Sequence, residues 1–221
     1  MKLLELMKKR HSVRLYEDRP IEEEKKVILN ELIKSLNVKY GTNVQIFYDD
    51  ADGFKNAKAS YGNFSGCTNY IALVAKDAEI AGYVGEIIVL KAQELGLNTC
   101  FVALTYKRGA VKGKVNKAKG EKVQCNIALG YGKNQGVSHK IKSSQDVLEL
   151  YGEKPEYLDT IVEACLLAPT AMNQQKFKVV CENDNIYIKK SGLGFYLDFD
   201  LGIVKCHKDL ILEELNKKNN T

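Results

Sequence analysis

The stretch "AGYVGEIIVLKAQELG", residues 81–96, has a distant echo in "LGIVKCHKDLILEEL", residues 201–215. Aligned without gaps, Gly82 falls on Gly202, Val84 on Val204 and Leu95 on Leu215. The first stretch is a long helix stopped at Gly96; the second lies in the closing helix, "DFDLGIVKCHKDLILEEL". Pro20 and Pro155 each open a further helix that leads to a strand. These few matches share one order, which suggests that the later part of the chain repeats the earlier part in outline.

Outward from that pair, the chain reads as mixed helices and strands. After Pro20, three glutamates occupy a first turn, and Ile28, Leu29, Leu32, Ile33 and Leu36 share one face of an amphipathic helix. "NVQIFYD" (residues 43–49) reads as a strand and "NYIALVA" (69–75) as a buried one. "NTCFVAL" (98–104) follows, opened by Asn98, and "VQCNIALGYG" (123–132) is a strand ending in a glycine turn. Further on, "YGEKPEYLDTIVEACLLAP" is a helix, and "FKVVCEND" with "NIYIKK" reads as a hairpin. Helices long enough to cover a sheet on both faces predict an α+β sandwich rather than a barrel or bundle.

Composition narrows the class. The 221 residues are 45% hydrophobic and 28% charged, with three prolines, as in an ordinary soluble globule. The amino-terminal apolar run is too short for a signal peptide, and no apolar run reaches the roughly 20 residues of a membrane span, so the expected location is cytoplasmic with no membrane contact. Six cysteines stand singly in apolar contexts, without CxxC pairs or zinc spacing, and read as reduced core thiols. Much of the net charge of +5 sits in "KRGAVKGKVNKAKGEK" (107–122), a basic loop that would suit nucleic acid. Only Tyr106 at its edge offers stacking, so nucleic acid is an unlikely partner. "GYGKNQG" (130–136) has its third glycine out of dinucleotide register and reads as a turn.

"RHSVRLY" (10–16) is the sharpest local feature: two arginines, a histidine and a serine, able to form either a solvated helix entry or a small anion site. With two other segments it resembles the FMN-dependent nitroreductase family. "RHSVR" is similar to that family's opening run, and "APTAMNQQKFKVV" (168–180) resembles its Ala-Pro-Ser-x-x-Asn-x-Gln motif. "LGLNTCFVALTY" (95–106) and "NIALGYGKNQGVSHKIKSSQDV" (126–147) resemble its Leu-Gly segment and its Ala-Leu-Gly-Tyr strand, followed here by Lys140 and Lys142. The order differs from that of ordinary members, because the Asn-bearing motif comes after the lysines.

The resemblance implies a nitroreductase-like sandwich with a central mixed, mainly antiparallel sheet, built from two pseudo-repeated halves fused in one chain. Residues 1–150 would form the FMN-binding half and residues 151–221 a shortened second half that completes one flavin site, a monomer acting as a pseudo-dimer. By the same resemblance Arg10, His11, Ser12, Arg14, Lys140 and Lys142 cradle the FMN phosphate, with His139 beside them. Asn173 and Gln175 bond the ring's pyrimidine edge, and Pro169, Thr170 and Ala171 form a close-approach turn. No catalytic side chain or metal is expected, since hydride from NADH or NADPH would pass through the flavin to a nitroaromatic, quinone or similar small acceptor. His207 is read as a satisfied or surface group. Two rival functions are a flavin carrier or sensor with little turnover, suggested by Lys176-Phe177 where the family has Pro-Trp, and a basic nucleic-acid module.

Overall fold

A computed structural model describes residues 2–54, 64–183 and 185–219. The chain begins with a short helix, α1 (Lys2–Lys9), which the sequence reading passed over; it buries Leu4 and Met7. Helix α2 (Glu23–Tyr40) buries Leu29, Ile33 and Leu36 and ends at Gly41, whose φ of 63° closes it. Strands β1 (Gln45–Phe47), β2 (Asn69–Ala75), β3 (Asn98–Val102) and β4 (Lys122–Gly130) pair antiparallel in the order β1-β2-β4-β3. Helix α3 (Ala78–Glu94) is capped by Asp77, whose side chain accepts from the Ile80 N–H.

Both faces of this sheet are covered, because residues alternate across it. Ile71, Leu73, Cys125, Ile127 and Leu129 join the main core with α3. Tyr70, Ala72, Val74, Cys100, Val102 and Ala128 face a second cluster with Val13, Tyr16, Phe54 and Val111. The expected basic loop is partly helical: α4 (Arg108–Lys114) tucks Val111 and Val115 into that cluster, and Lys114 pairs with Asp50 at 2.8 Å. Burial of two valines outweighs the helix-weakening glycines 109 and 113.

The later part has its own small sheet. A helical turn, α5 (Ser144–Val147), leads into β5 (Leu148–Tyr151), which runs parallel to β6 (Phe177–Glu182). Strand β5 thus crosses the expected 150/151 boundary and pairs beyond it. Strands β6 and β7 (Asn185–Lys190) form the expected hairpin; Asp184, at its tip, lies outside the described residues. Helices α6 (Leu158–Leu167) and α7 (Leu197–Asn219) close the fold. The α+β class is borne out, with the strands divided between two sheets. Helices α2 and α6 each begin three residues beyond the prolines expected to open them. All six cysteines are buried and free, as read.

The most extensive helix contact is between α3 and α7. A Cβ on Gly82 would stand 2.0 Å from the Phe199 carbonyl oxygen, and one on Gly202 would stand 1.9 Å from that of Glu79. Phe199 and Glu79 correspond in the same gap-free alignment, so the contact is reciprocal, as across a two-fold axis. Only glycine allows the two backbones to approach this closely.

Candidate functional site

The "RHSVRLY" segment is extended and woven between three neighbours. Val13 N–H donates to Thr99 O (2.9 Å), Tyr16 N–H to Ser65 O (2.8 Å), and Lys133 N–H to Leu15 O (2.9 Å). Gly136, at φ 71°, leaves room for His11, whose Cβ would lie 2.8 Å from a side chain there. Ser12 lies near the buried Cys100 thiol, whose pKa burial raises. Among the described residues Arg14 has no hydrogen-bonded or ion-paired partner for its half-buried side chain.

Arg10 is only 3% exposed. Its Nε has no hydrogen-bond partner and lies 4.0 Å from Glu86 Oε1. Burial pulls its pKa below the ordinary guanidinium value, with Glu86 opposing. Glu86, on α3, is itself fully buried and accepts from His207 Nε2 at 2.8 Å, while its Oε2 is unpartnered. The other ring nitrogen of His207 lies 2.7 Å from Ala164 O, so His207 is a satisfied core group, as read.

Arg10 opens onto a cavity of about 210 Å³ lined by Met7, Lys8, Arg10, His11, Ser138, His139 and Leu167. Its polar lining consists of cationic or donor-capable side chains and no carboxylate, although Lys8 pairs outward with Glu163 at 3.0 Å. His11 and His139 both have lowered pKa values, first through burial and then through the Arg10 charge. His139 Nε2 contacts Leu166 O at 2.9 Å, which ties this region to the end of α6. The cavity has the charge of an anion site.

The loop after α6 is built differently. Met172, Asn173 and Gln175 all have positive φ values (52°, 53° and 45°), unusual for residues other than glycine. Such strain persists only where the surroundings over-determine it. Here Thr170 Oγ1 accepts from Gln175 N–H (3.0 Å), and Ala171 N–H donates to both oxygens of Asp200 (2.9 and 3.0 Å). Gln174 Nε2 donates to Asp200 Oδ2 and to Phe195 O, both at 2.7 Å.

Asn173 and Gln175, expected to face a ligand, spend their amides on the chain itself. Asn173 Nδ2 and Gln175 Nε2 both donate to Lys140 O (2.8 and 2.7 Å), and Gln175 Nε2 also reaches Asn173 Oδ1 (2.9 Å). Gln175 Oε1 accepts from Lys142 N–H (2.9 Å), and Lys142 Nζ donates to Gln175 O (2.8 Å). Lys140, Lys142, Asn173 and Gln175 are therefore one hydrogen-bonded unit. Pro169, Thr170 and Ala171 are half-buried behind it.

With this geometry in hand, comparison with known proteins is direct. The family described as "Putative TM nitroreductase" matches residues 2–211. The chain belongs to that family. This nitroreductase membership and the fold support an oxidoreductase role. A "putative nitroreductase" of Thermotoga maritima MSB8 is 22% identical, covers 98% of this chain and 86% of its own, and superposes with a TM-score of 0.69. A "Putative NADH dehydrogenase/NAD(P)H nitroreductase" of Bacteroides thetaiotaomicron VPI-5482 is 18% identical, with TM-score 0.54 over 66% of this chain and 96% of that one. A nitroreductase family protein of Streptococcus pneumoniae TIGR4 is 15% identical, with TM-score 0.52 over 66% and 98%. No curated protein matches the chain.

The nitroreductase fold brings Arg10 and His11 to one cavity with His139, and Lys140 and Lys142 to the Asn-bearing loop. Three groups were missed in the sequence. Glu86 could have been noticed as a lone charge in the apolar run "VGEIIVL". Lys8 and Asp200 carry no spacing signal.

Proposed function

We propose that the chain is an FMN-dependent oxidoreductase that passes hydride from NADH or NADPH to a nitroaromatic, quinone or similar small acceptor. The observation that carries this reading is Arg10: a buried guanidinium with an orphaned Nε, beside a carboxylate-free cavity. A buried guanidinium nitrogen without a hydrogen bond is costly, and an anion near the group offsets that cost. The cavity suits a phosphate-sized group, and at about 210 Å³ it is smaller than a pocket for a whole drug-sized ligand. The donor set thus fits the phosphate end of FMN, while the ring has to lie outside.

When bound, the flavin supplies the two-electron chemistry. The chain's part is to hold and orient it. Arg10 and His11 would neutralise the phosphate from the cavity, with Ser12 and Arg14 on the adjoining extended segment. Lys140 would add charge from the exposed side. Asn173 and Gln175 would act mainly by fixing residues 140–142 and the loop of Pro169, Thr170 and Ala171. In the same reading the reciprocal Gly82 and Gly202 contact supports a fused pseudo-dimer whose later part completes one site. The uptake of FMN by the purified protein, read in the visible spectrum, tests the proposal. A preparation that takes up no FMN would end it, and Arg10→Ala is expected to weaken retention about 10- to 100-fold.

One observation favours a second reading, a flavin carrier with little turnover: Lys176-Phe177 stands where the family has Pro-Trp beside the ring. Bleaching of bound flavin within a catalytic timescale after mixing with NADH or NADPH would reject the carrier.

A further inference from the structure

Asp200 lies in the first turn of α7, is 6% exposed, and faces no cation within ion-pair distance among the described residues. The helix amino terminus favours a carboxylate there, but it does not replace a counter-ion. Charged and titratable neighbours are otherwise engaged. From α3, Glu79 pairs with Lys205 of α7 (2.6 Å). Lys190 on β7 pairs with Asp198, and Lys176 donates to Leu193 O. From β4 the neighbouring group is the buried Cys125 thiol. The partners of the Asp200 carboxylate are all on the strained loop: Ala171 N–H on both oxygens and Gln174 Nε2 on one. Through Gln174 the same carboxylate reaches Phe195 O, on a segment whose Leu193 and Phe195 are 90% and 81% exposed.

We propose that Asp200 is a positioning residue that latches the 169–175 loop against α7, and that its ionisation loosens the latch. Two neutral donors, the Ala171 N–H and Gln174 Nε2, hold the carboxyl in place, yet closing the loop strips it of water with no opposite charge in return. The closed state therefore binds a proton more tightly than an open state in which Asp200 meets solvent. Burial pushes the carboxyl up to about 6 from its ordinary 3.8, against the opposing pull of Gln174 and Ala171. The sign follows: the latch is tightest when Asp200 is protonated and weakens as pH rises through about 6. A gap of that size corresponds to as much as a roughly 100-fold change in the closing equilibrium. The bearing of the latch on a flavin rests on the function proposed above, whereas the latch itself does not.

Hydrogen exchange of residues 169–176 in the full chain, at pH 5 and pH 8 and corrected for intrinsic rates, tests it. In the wild type, protection is expected to fall by about 10-fold from pH 5 to pH 8, since the earlier part of the loss lies below pH 5. Asp200→Asn, neutral at both values, is expected to stay protected at both, and Asp200→Ala to be exposed at both. Wild-type protection that does not change with pH would overturn the proposal, as would Asp200→Asn falling in parallel with the wild type. If Asp200→Ala does not fold, the other two proteins still decide. FMN uptake is scored separately by colour, so its failure would remove the flavin reading and leave the exchange result legible.

Discussion

Around Arg10, donors face a cavity whose lining has no carboxylate; around Gln175, every amide atom is already bonded within the chain. Both regions hold residues that the sequence marks as ligand-binding. The first has left its polar groups unfinished, with Arg10 Nε and Glu86 Oε2 orphaned, and it accepts an energetic cost for doing so. The second has spent its groups on holding a loop with three left-handed residues. The difference is between unfinished and finished polar groups: Arg10 Nε has no hydrogen bond, whereas both amide atoms of Gln175 are bonded to the chain.

The largest expected effect comes from Glu86→Gln. Removing the carboxylate between Arg10 and His207 leaves buried positive charge uncompensated and should cost about 3 to 5 kcal/mol in urea unfolding. A cost below about 1 kcal/mol would erase the contrast from the Arg10 side. Gln175→Ala should come next, at about 3 kcal/mol, since it strips three hydrogen bonds and orphans the Lys142 N–H. The His139 titration should be unchanged in that variant; a shift seen by NMR would show that the two regions are not independent.

Acidity offers a smaller test. Because the folded Asp200 carboxyl is raised from 3.8 to about 6, its contribution to stability is full below about pH 4 and is lost as pH rises through about 6. The loss should be on the order of 2 kcal/mol, and absent in Asp200→Asn. Phosphate binding should take up protons at His11 and His139, whose pKa values burial and Arg10 have lowered, so affinity should rise a few-fold as pH falls towards 6. Calorimetry in buffers of different ionisation enthalpy measures that uptake. Asn173→Ala, on an exposed side chain, is expected to cost less than about 1 kcal/mol.

Much of the fold was legible. "NYIALVA" coincides with β2 because a run of seven buried residues has no helical alternative at that length. Gly96 marks the end of α3 because its φ of 76° suits glycine. The starts of α2 and α6 lay three residues late, since extended backbone follows Pro20 and a separate turn, closed by Leu158 N–H on Pro155 O, follows Pro155. Helix α1 was missed because its stripe is two buried residues, Leu4 and Met7, too few to show a period. In the site, charge was legible and partnership was not. The donor character of Arg10 and His11 could be read from residue type alone. That Asn173 and Gln175 would meet the carbonyl of Lys140, over thirty residues back, depends on two chain segments arriving side by side, which no local pattern records.

Strand β5 has a further consequence. It is covalently continuous with the four-stranded sheet yet hydrogen-bonded to β6, so severing the chain near residue 150 would strand it on the wrong fragment. The carboxy-terminal piece would then present Val179–Glu182 as a naked ribbon edge, prone to self-association. Melting of the intact molecule should accordingly be a single calorimetric event.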